Sequence, residues 1–520
     1  MLYDRTFHPD EANQAFTTGR LLETGRYTYQ PQDHHGPTLY YAAAAIQKAA
    51  GHTDTASLDG ALLRTTPLVF AVLGLAFGIA ALKRLTKSVV PGHLFALLLG
   101  TTPFFAFFAT DFIQEMLLTC FLFMMFWAGA GYLHPGTKWK TGTWALFFGT
   151  GAGLAFATKE TCLISFAAAA LAAAPFLIKR LTLEKVRARA RDAVLAVLGF
   201  LIVTSILYSD FGRDFHGVYN AFIAAPLSYL GRAAGDASAS TGANWHVHPW
   251  WQYFQWLFSG HVPLANFICL GLSFGVIAIS AGRALRARRD DPVGRARRGT
   301  FLFTTTYALL VLALYSAIPY KTPWCALQIL APLLLASFLG YIDFCAALHS
   351  IALRKYSSIP PKAIRVLSYA PLLYLAGHLL YGNGSALAQM WRNPDSTDIP
   401  CNYAAASPEV QELAATVASA MASAANREPP FIAVVLPAAD TWPFPWYNRP
   451  YERQTGYWTS FDDLKALADA GIKPTVVIVP MEEGHLVQPL FPHLKHTKRF
   501  YMRPRIPERQ VRGVRVRVFW

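Results

Sequence analysis

The sequence predicts a polytopic α-helical membrane protein of about ten spans that ends in a small soluble α/β domain. Composition and hydropathy patterning carry that prediction. The chain of 520 residues is 53% apolar and only 15% charged, whereas a typical soluble protein is about 25% charged. The runs LVFAVLGLAFGIAALK, LFALLLGTTPFFAFFA and MLLTCFLFMMFWAGAGYL follow one another between residues 68 and 133. About 20 apolar residues at 1.5 Å per residue match the ~30 Å hydrocarbon core of a bilayer. A soluble enzyme, a disordered chain and a secreted disulfide scaffold are thereby excluded. The six cysteines show no CxxC or zinc spacing. Cys120, Cys162, Cys269, Cys325 and Cys345 lie in or beside apolar runs and Cys401 stands alone in the tail, so all read as packing residues.

Candidate spans lie near 62–82, 91–109, 115–133, 143–158, 161–178, 193–209, 262–282, 300–318, 324–346 and 365–382. The fourth and fifth are short, or joined through a break at Lys159–Glu160. Orientation comes from the loops. Segments 83–92, 134–142, 179–192, 283–299 and 347–365 hold 22 Lys and Arg, against 4 in 110–114, 159–160, 210–261 and 319–323. Basic residues stay on the cytoplasmic side, so the first set is cytoplasmic. KRLTLEKVRARAR and RALRARRDDPVGRARR are then inner-face anchors. They account for most of the net charge of +15 and remove the case for nucleic-acid binding. An even number of spans puts both ends, 1–61 and 383–520, on the external side. An external N-terminus requires a segment to carry it across, so one further helix is expected before Met1.

Three regions follow: a first external loop with amphipathic helices (1–61), a membrane domain (62–382) and an external α/β domain (383–520). In the first, ANQAFTTGRLLETG reads as an amphipathic helix, and GPTLYYAAAAIQKA (37–50) is too short to span. In the last, EVQELAATVASAMASAA (409–425) and FDDLKALADAG (461–471) read as helices. FIAVVLP (431–437) and TVVIVP (475–480) read as buried strands, and VRVRVFW (514–520) as an edge or terminal strand.

Acids and bases gather at the external span ends. His8, Asp10 and Glu11 stand in FHPDEAN, and His34, His35 and Gly36 in DHHGP. Asp111 and Glu115 close the second span in DFIQE. Lys159 and Glu160 lie in ATKE, and Tyr320, Lys321 and Trp324 in PYKTPW. Any one of these fits a solvated loop end, and Asp10 also fits a helix N-cap. Four hairpins bringing ionisable groups to one membrane face point instead to a pathway or site.

These blocks resemble the GT-C membrane glycosyltransferases, whose members include protein O-mannosyltransferases and lipid A aminoarabinose transferases. The resemblance is strongest to a prokaryotic subgroup described as flippase-activity-associated, archaeal-glycosylation-like. FHPDE, HGP, Gln114–Met116, ATKE, YKTPW and WPFPWY (Trp442–Tyr447) are the matching blocks, and their order along most of the chain carries the similarity. GT-C members normally place a span before the acidic loop, and this chain departs from them there.

The resemblance implies a GT-C-like fold in a bacterial or archaeal cytoplasmic membrane, with the active face and the tail domain outside. It implies transfer of a sugar, of the hexosyl or mannosyl kind, from a polyprenyl-phosphate-linked donor to a protein, lipid or glycan acceptor, with inversion. Within it, Asp10, with Glu11 second, is the expected general base for the acceptor hydroxyl. The leaving phosphate needs positive charge, for which Arg64, Lys159 and Lys321 are the candidates. Asp111, Glu115 and Glu160 form a second acidic site, and His8, His34, His35, Tyr320 and Trp324 line the substrate. Asp10, Asp111 and Glu115 are candidate oxygen ligands for Mg2+ or Mn2+. Trp245, Trp250, Trp251 and Trp256, with His246 and His248, form either an interfacial aromatic belt or a lid over the donor. WPFPWY is either a packing loop against the membrane domain or an acceptor cleft. A lipid-linked sugar flippase and a non-catalytic partner of a glycosylation complex are the rival readings. A flippase predicts charges at mid-span, whereas the ionisable residues here cluster at span ends.

Overall fold

The computed structural model describes residues 5–32, 34–133, 139–178, 183–233, 246–258, 292–356, 358–396, 400–403, 405–424, 430–503 and 513–520. Two helices lie before the first span. α1 (Pro9–Thr24) starts at a capping box: the His8 side chain accepts the Asp10 N–H, and the Glu11 carboxylate accepts the His8 N–H. Pro9 occupies the first turn, and Gly25, at φ 62°, ends the helix. α2 (Thr38–Ala49) is the short segment 37–50.

The spans follow. α3 (Gly60–Thr86) is capped by Asp59, whose carboxylate accepts the Leu62 N–H at 2.8 Å. The expected span 91–109 is broken in two. Thr102 caps a second helix with Pro103 in its first turn, giving α4 (Val90–Gly100) and α5 (Pro103–Phe108). α6 (Glu115–Leu133), α7 (Thr141–Phe156), α8 (Cys162–Ile178) and α9 (Leu183–Tyr208) match the next four segments. Pro292–Ala317, Ala326–Lys355 and Pro361–Arg392 are the last three. The expected span 262–282 lies outside the described residues. Among the described residues, six helices are long and apolar enough to cross a membrane, and two shorter apolar helices, Val90–Gly100 and Cys162–Phe176, accompany them. The chain is an integral membrane protein.

Close helix packing rests on small residues. A Cβ at Gly149 of α7 would lie 1.8 Å from the Ala196 carbonyl oxygen of α9, so only glycine permits that approach. α1 and α2 bury Phe16, Leu39 and Tyr40 in one core with Leu117 of α6 and Phe156 of α7.

The tail folds as a five-stranded sheet in the order β2-β1-β3-β5-β4. The strands are β1 (Ile432–Val435), β2 (Thr455–Trp458), β3 (Val476–Pro480), β4 (Thr497–Arg503) and β5 (Val514–Phe519). β1 is parallel to β2 and β3, while β5 is antiparallel to β3 and β4. Alternate residues of β1 and β3 pack on opposite sides. Ile432, Val434, Val476 and Ile478 meet Val410, Leu413 and Val417 of the helix Glu409–Ala424. Ala433, Val435, Val477 and Val479 meet Leu464 and Val487. The strand expected at 514–520 as an edge or terminal strand is the last in chain order and lies inside the sheet. β5 is an inner strand because β4, which exposes Thr497, Lys498, Arg499 and Tyr501, forms the edge beyond it.

Candidate active site

The capping box places two adjacent carboxylates in opposite environments. Glu11, the third residue of α1, points inward and is fully buried. Arg64, one turn into α3 and equally buried, holds it with two bonds, Nε to Oε1 at 2.8 Å and Nη2 to Oε2 at 2.7 Å. Glu11 also accepts the Phe112 N–H at 2.9 Å and the Arg5 Nη2 at 3.4 Å. Burial alone raises the pKa of Glu11, but the Arg64 and Arg5 guanidinium groups outweigh it and hold the carboxyl far below the usual carboxylate range. Arg5 also reaches Asp111 at 2.7 Å and the Thr110 carbonyl at 3.0 Å. Two arginines and two acids thus form a buried knot tying α1 and α3 to the end of the second apolar segment.

Asp10 is different. Its side chain is 49% exposed, and the His8 imidazole lies 3.8 Å from its carboxylate. It lines a cleft with Arg5, His8, Asp111, Trp324 and Tyr403. His8 accepts at Nδ1, so its proton sits on Nε2, which donates to the Tyr403 carbonyl at 3.0 Å. The short link after the last span closes the cleft. Tyr403 stands there, and Asp395 accepts the Thr6 N–H at 2.9 Å. Trp324 sits edge-on to His8 at 6.0 Å. His246 and Tyr320 face each other at 4.8 Å across a β-bridge in which the Lys321 N–H donates to the His246 carbonyl at 2.8 Å. Burial lowers the His246 pKa to about 4, against the opposing pull of Asp10.

The other predicted residues lie in separate contacts. Lys159, between α7 and α8, is buried in an ion pair with Glu115 at the start of α6. The Lys321 ammonium is held by the Ile318 and His248 carbonyls, and burial pushes its pKa down. His35 Nδ1 sits 2.7 Å from Glu160, whose other oxygen accepts the Tyr29 hydroxyl. Gly36 permits this pairing: a Cβ there would lie 2.3 Å from the Ala157 carbonyl oxygen, so only glycine brings the loop against the end of α7. His34 packs inward, with Nε2 3.2 Å from the Thr28 carbonyl and its ring edge-on to Tyr27 and Tyr40. Trp256 is buried against Tyr403, whereas Trp250 and Trp251 are exposed; Trp245 lies outside the described residues.

The expected metal ligands are not gathered. Asp111 is bonded to Arg5 and Glu115 to Lys159, and among the described residues no three His, Cys, Asp or Glu groups are placed to hold an ion. The residues present do not fit Mg2+ or Mn2+.

WPFPWY packs against the first external loop. Trp446 stacks on Phe7 at 4.5 Å, and the outer faces of the two rings carry Arg449 at 3.9 Å and Arg64 at 4.3 Å. The Tyr447 hydroxyl accepts the Phe7 N–H at 2.8 Å, and Arg449 donates to the Leu58 carbonyl at 3.0 Å. The tail is therefore wired to the residues flanking Asp10. Trp446→Ala is expected to cost about 3–5 kcal/mol and to free the tail for proteolytic release. A tail cleaved no faster than in the wild type refutes the docking role.

No family model matches the chain, and no curated protein is similar to it in sequence. Its fold is that of a known membrane protein. The crystal structure of ArnT from Cupriavidus metallidurans bound to undecaprenyl phosphate aligns with a TM-score of 0.60 at 14% identity, covering 99% of this chain and 94% of that chain. The apo state of the same protein aligns at 0.58 and 13% identity, with the same coverage. An Archaeoglobus fulgidus oligosaccharyltransferase in complex with Zn and sulfate gives 0.46 at 13% identity, over 92% of this chain and 65% of that chain. The chain thus has an ArnT-like fold.

Proposed function

We propose that this chain is a membrane glycosyltransferase that moves a sugar from a polyprenyl-phosphate donor to an acceptor hydroxyl at the external face. Its ArnT-like fold and the ordered motif blocks support the class. One observation supports the chemistry: Asp10 is an accessible carboxylate in a cleft, one residue from a carboxylate that two arginines hold out of play.

In this reading the acceptor oxygen attacks the anomeric carbon from the face opposite the phosphate, and Asp10 takes its proton. The new glycosidic bond forms as the bond to the phosphate oxygen breaks, with inversion, and polyprenyl phosphate leaves as the anion. Arg5 is the cation we place beside that anion. It lines the cleft, and its Nη1 makes no hydrogen bond among the described residues. Arg64 is already bonded to Glu11 and Lys159 to Glu115, and the Lys321 ammonium is held by backbone carbonyls. Tyr403, Trp324 and His8 shape the acceptor side.

The test is transfer in proteoliposomes, supplied with polyprenyl-phosphate hexose and a mixture of acceptors. Product formation that Arg5→Met slows with a raised donor KM supports the reading. Flipping of labelled lipid across the bilayer, with no new glycosidic bond, overturns it in favour of a transporter.

A further inference from the structure

After α9 the chain turns through three residues in the left-handed region, Asp210, Phe211 and Gly212, at φ 50°, 59° and 87°. It then forms a helix in three pieces, His216–Tyr219, a π-turn at Asn220–Ala224 and Ala225–Ala233. This helix is sided in an unusual way. Its buried positions, Gly217, Ala221 and Ala225, are small. Apart from His216, its exposed positions are large and apolar: Phe215 just before it at 72%, then Tyr219, Ile223, Leu227 and Leu230 at 57, 47, 65 and 66%. Water-facing helices of soluble proteins carry polar residues there, and a continuous exposed apolar stripe marks an interaction surface.

The stripe continues a surface already defined. α9 exposes Val194, Val197, Leu201 and Ile202, the lipid-facing side of a helix that crosses the membrane. Between the two stands Phe211, 58% exposed. We propose that residues 215–230 lie in the external leaflet of the bilayer, with the stripe facing acyl chains at the headgroup boundary. The opposite face rests on the His35–Glu160 pair. Asn220 donates to the Tyr29 carbonyl at 3.1 Å, and the Tyr229 hydroxyl sits 2.8 Å from His35 Nδ1. The immersed helix is therefore a wall between lipid and that pair. The inference is independent of any transferase activity.

The test uses the full chain in nanodiscs, carrying a thiol-reactive, polarity-sensitive fluorophore at Tyr219→Cys, at Leu227→Cys or, as a control, at Lys498→Cys in the tail. Both helix positions are exposed, so neither change removes core packing, and the five described native cysteines are buried from the reagent. Labels at 219 and 227 are expected to show blue-shifted emission that brominated lipid largely quenches and aqueous iodide barely touches, while the label at 498 shows the reverse. Iodide quenching at 219 and 227 equal to that at 498 overturns the proposal. Labels quenched by neither agent, with a doubled particle mass, also overturn it and assign the stripe to a second copy of the chain.

Discussion

Asp10→Asn is expected to lower kcat by about 10²–10⁴-fold, the usual contribution of a positioned general base, and to leave the fold intact. Asparagine keeps the shape of aspartate but cannot take the acceptor proton. The structural contacts at this position survive the change, since it is the Asp10 backbone N–H, not its carboxylate, that His8 accepts. The side chain is half exposed, so stability should move by no more than about 0.5 kcal/mol. Donor KM should hold, because Arg5 and its partners are untouched. Transfer by Asp10→Asn at the wild-type rate removes Asp10 from the mechanism and directs attention to Asp111, the other acid lining the cleft.

Much of the fold was legible because apolar periodicity is a local signal. The spans around α3, α6 and α9 and the strands β1 and β3 all announce themselves within about 20 residues. β2 and β4 do not. TGYW is four residues long, and TKRFYMR carries the charges of an edge strand, so neither reads as a buried run. Of the residues lining the cleft, the sequence singled out His8, Asp10, Asp111 and Trp324 but not their assortment. Asp10 and Glu11 are neighbours with the same chemistry, and only the inward turn of α1 onto Arg64 makes one an anion locked in a knot and the other an open carboxylate. His35 and Glu160 stand 125 positions apart and meet because Gly36 lets the loop close on the Ala157 backbone at the end of α7. Arg5 and Tyr403 had no motif to mark them. Their importance comes from long-range contacts, to Asp111 in one case and His8 in the other, that no local pattern encodes.

A large loss of stability is expected from opening the buried knot. Arg64→Met should destabilise the protein by about 3–5 kcal/mol, because it leaves the Glu11 carboxylate in an apolar interior with Arg5, at 3.4 Å, as its remaining cation. Glu11→Gln should cost less, since the amide oxygen still accepts from one of the two N–H groups, of Phe112 or of His8, that reach separate carboxylate oxygens, while Arg64 keeps the Arg5 and Thr6 carbonyls as partners. The double variant should therefore recover part of the Arg64→Met loss. Thermal unfolding in detergent measures all three. Additive losses show that the two residues act separately and refute the pairing. Acid should act in the same direction. Because Glu11 titrates lower in the folded chain than when unfolded, its ionised form contributes stability above the ordinary glutamate value of 4.5. As pH falls below that value the unfolded state binds the proton first, and this contribution is progressively lost. Glu11→Gln should flatten that part of the acid limb while leaving the cleft geometry around Asp10 in place. An acid limb as steep as that of the wild type shows that carboxylates other than Glu11 control acid unfolding.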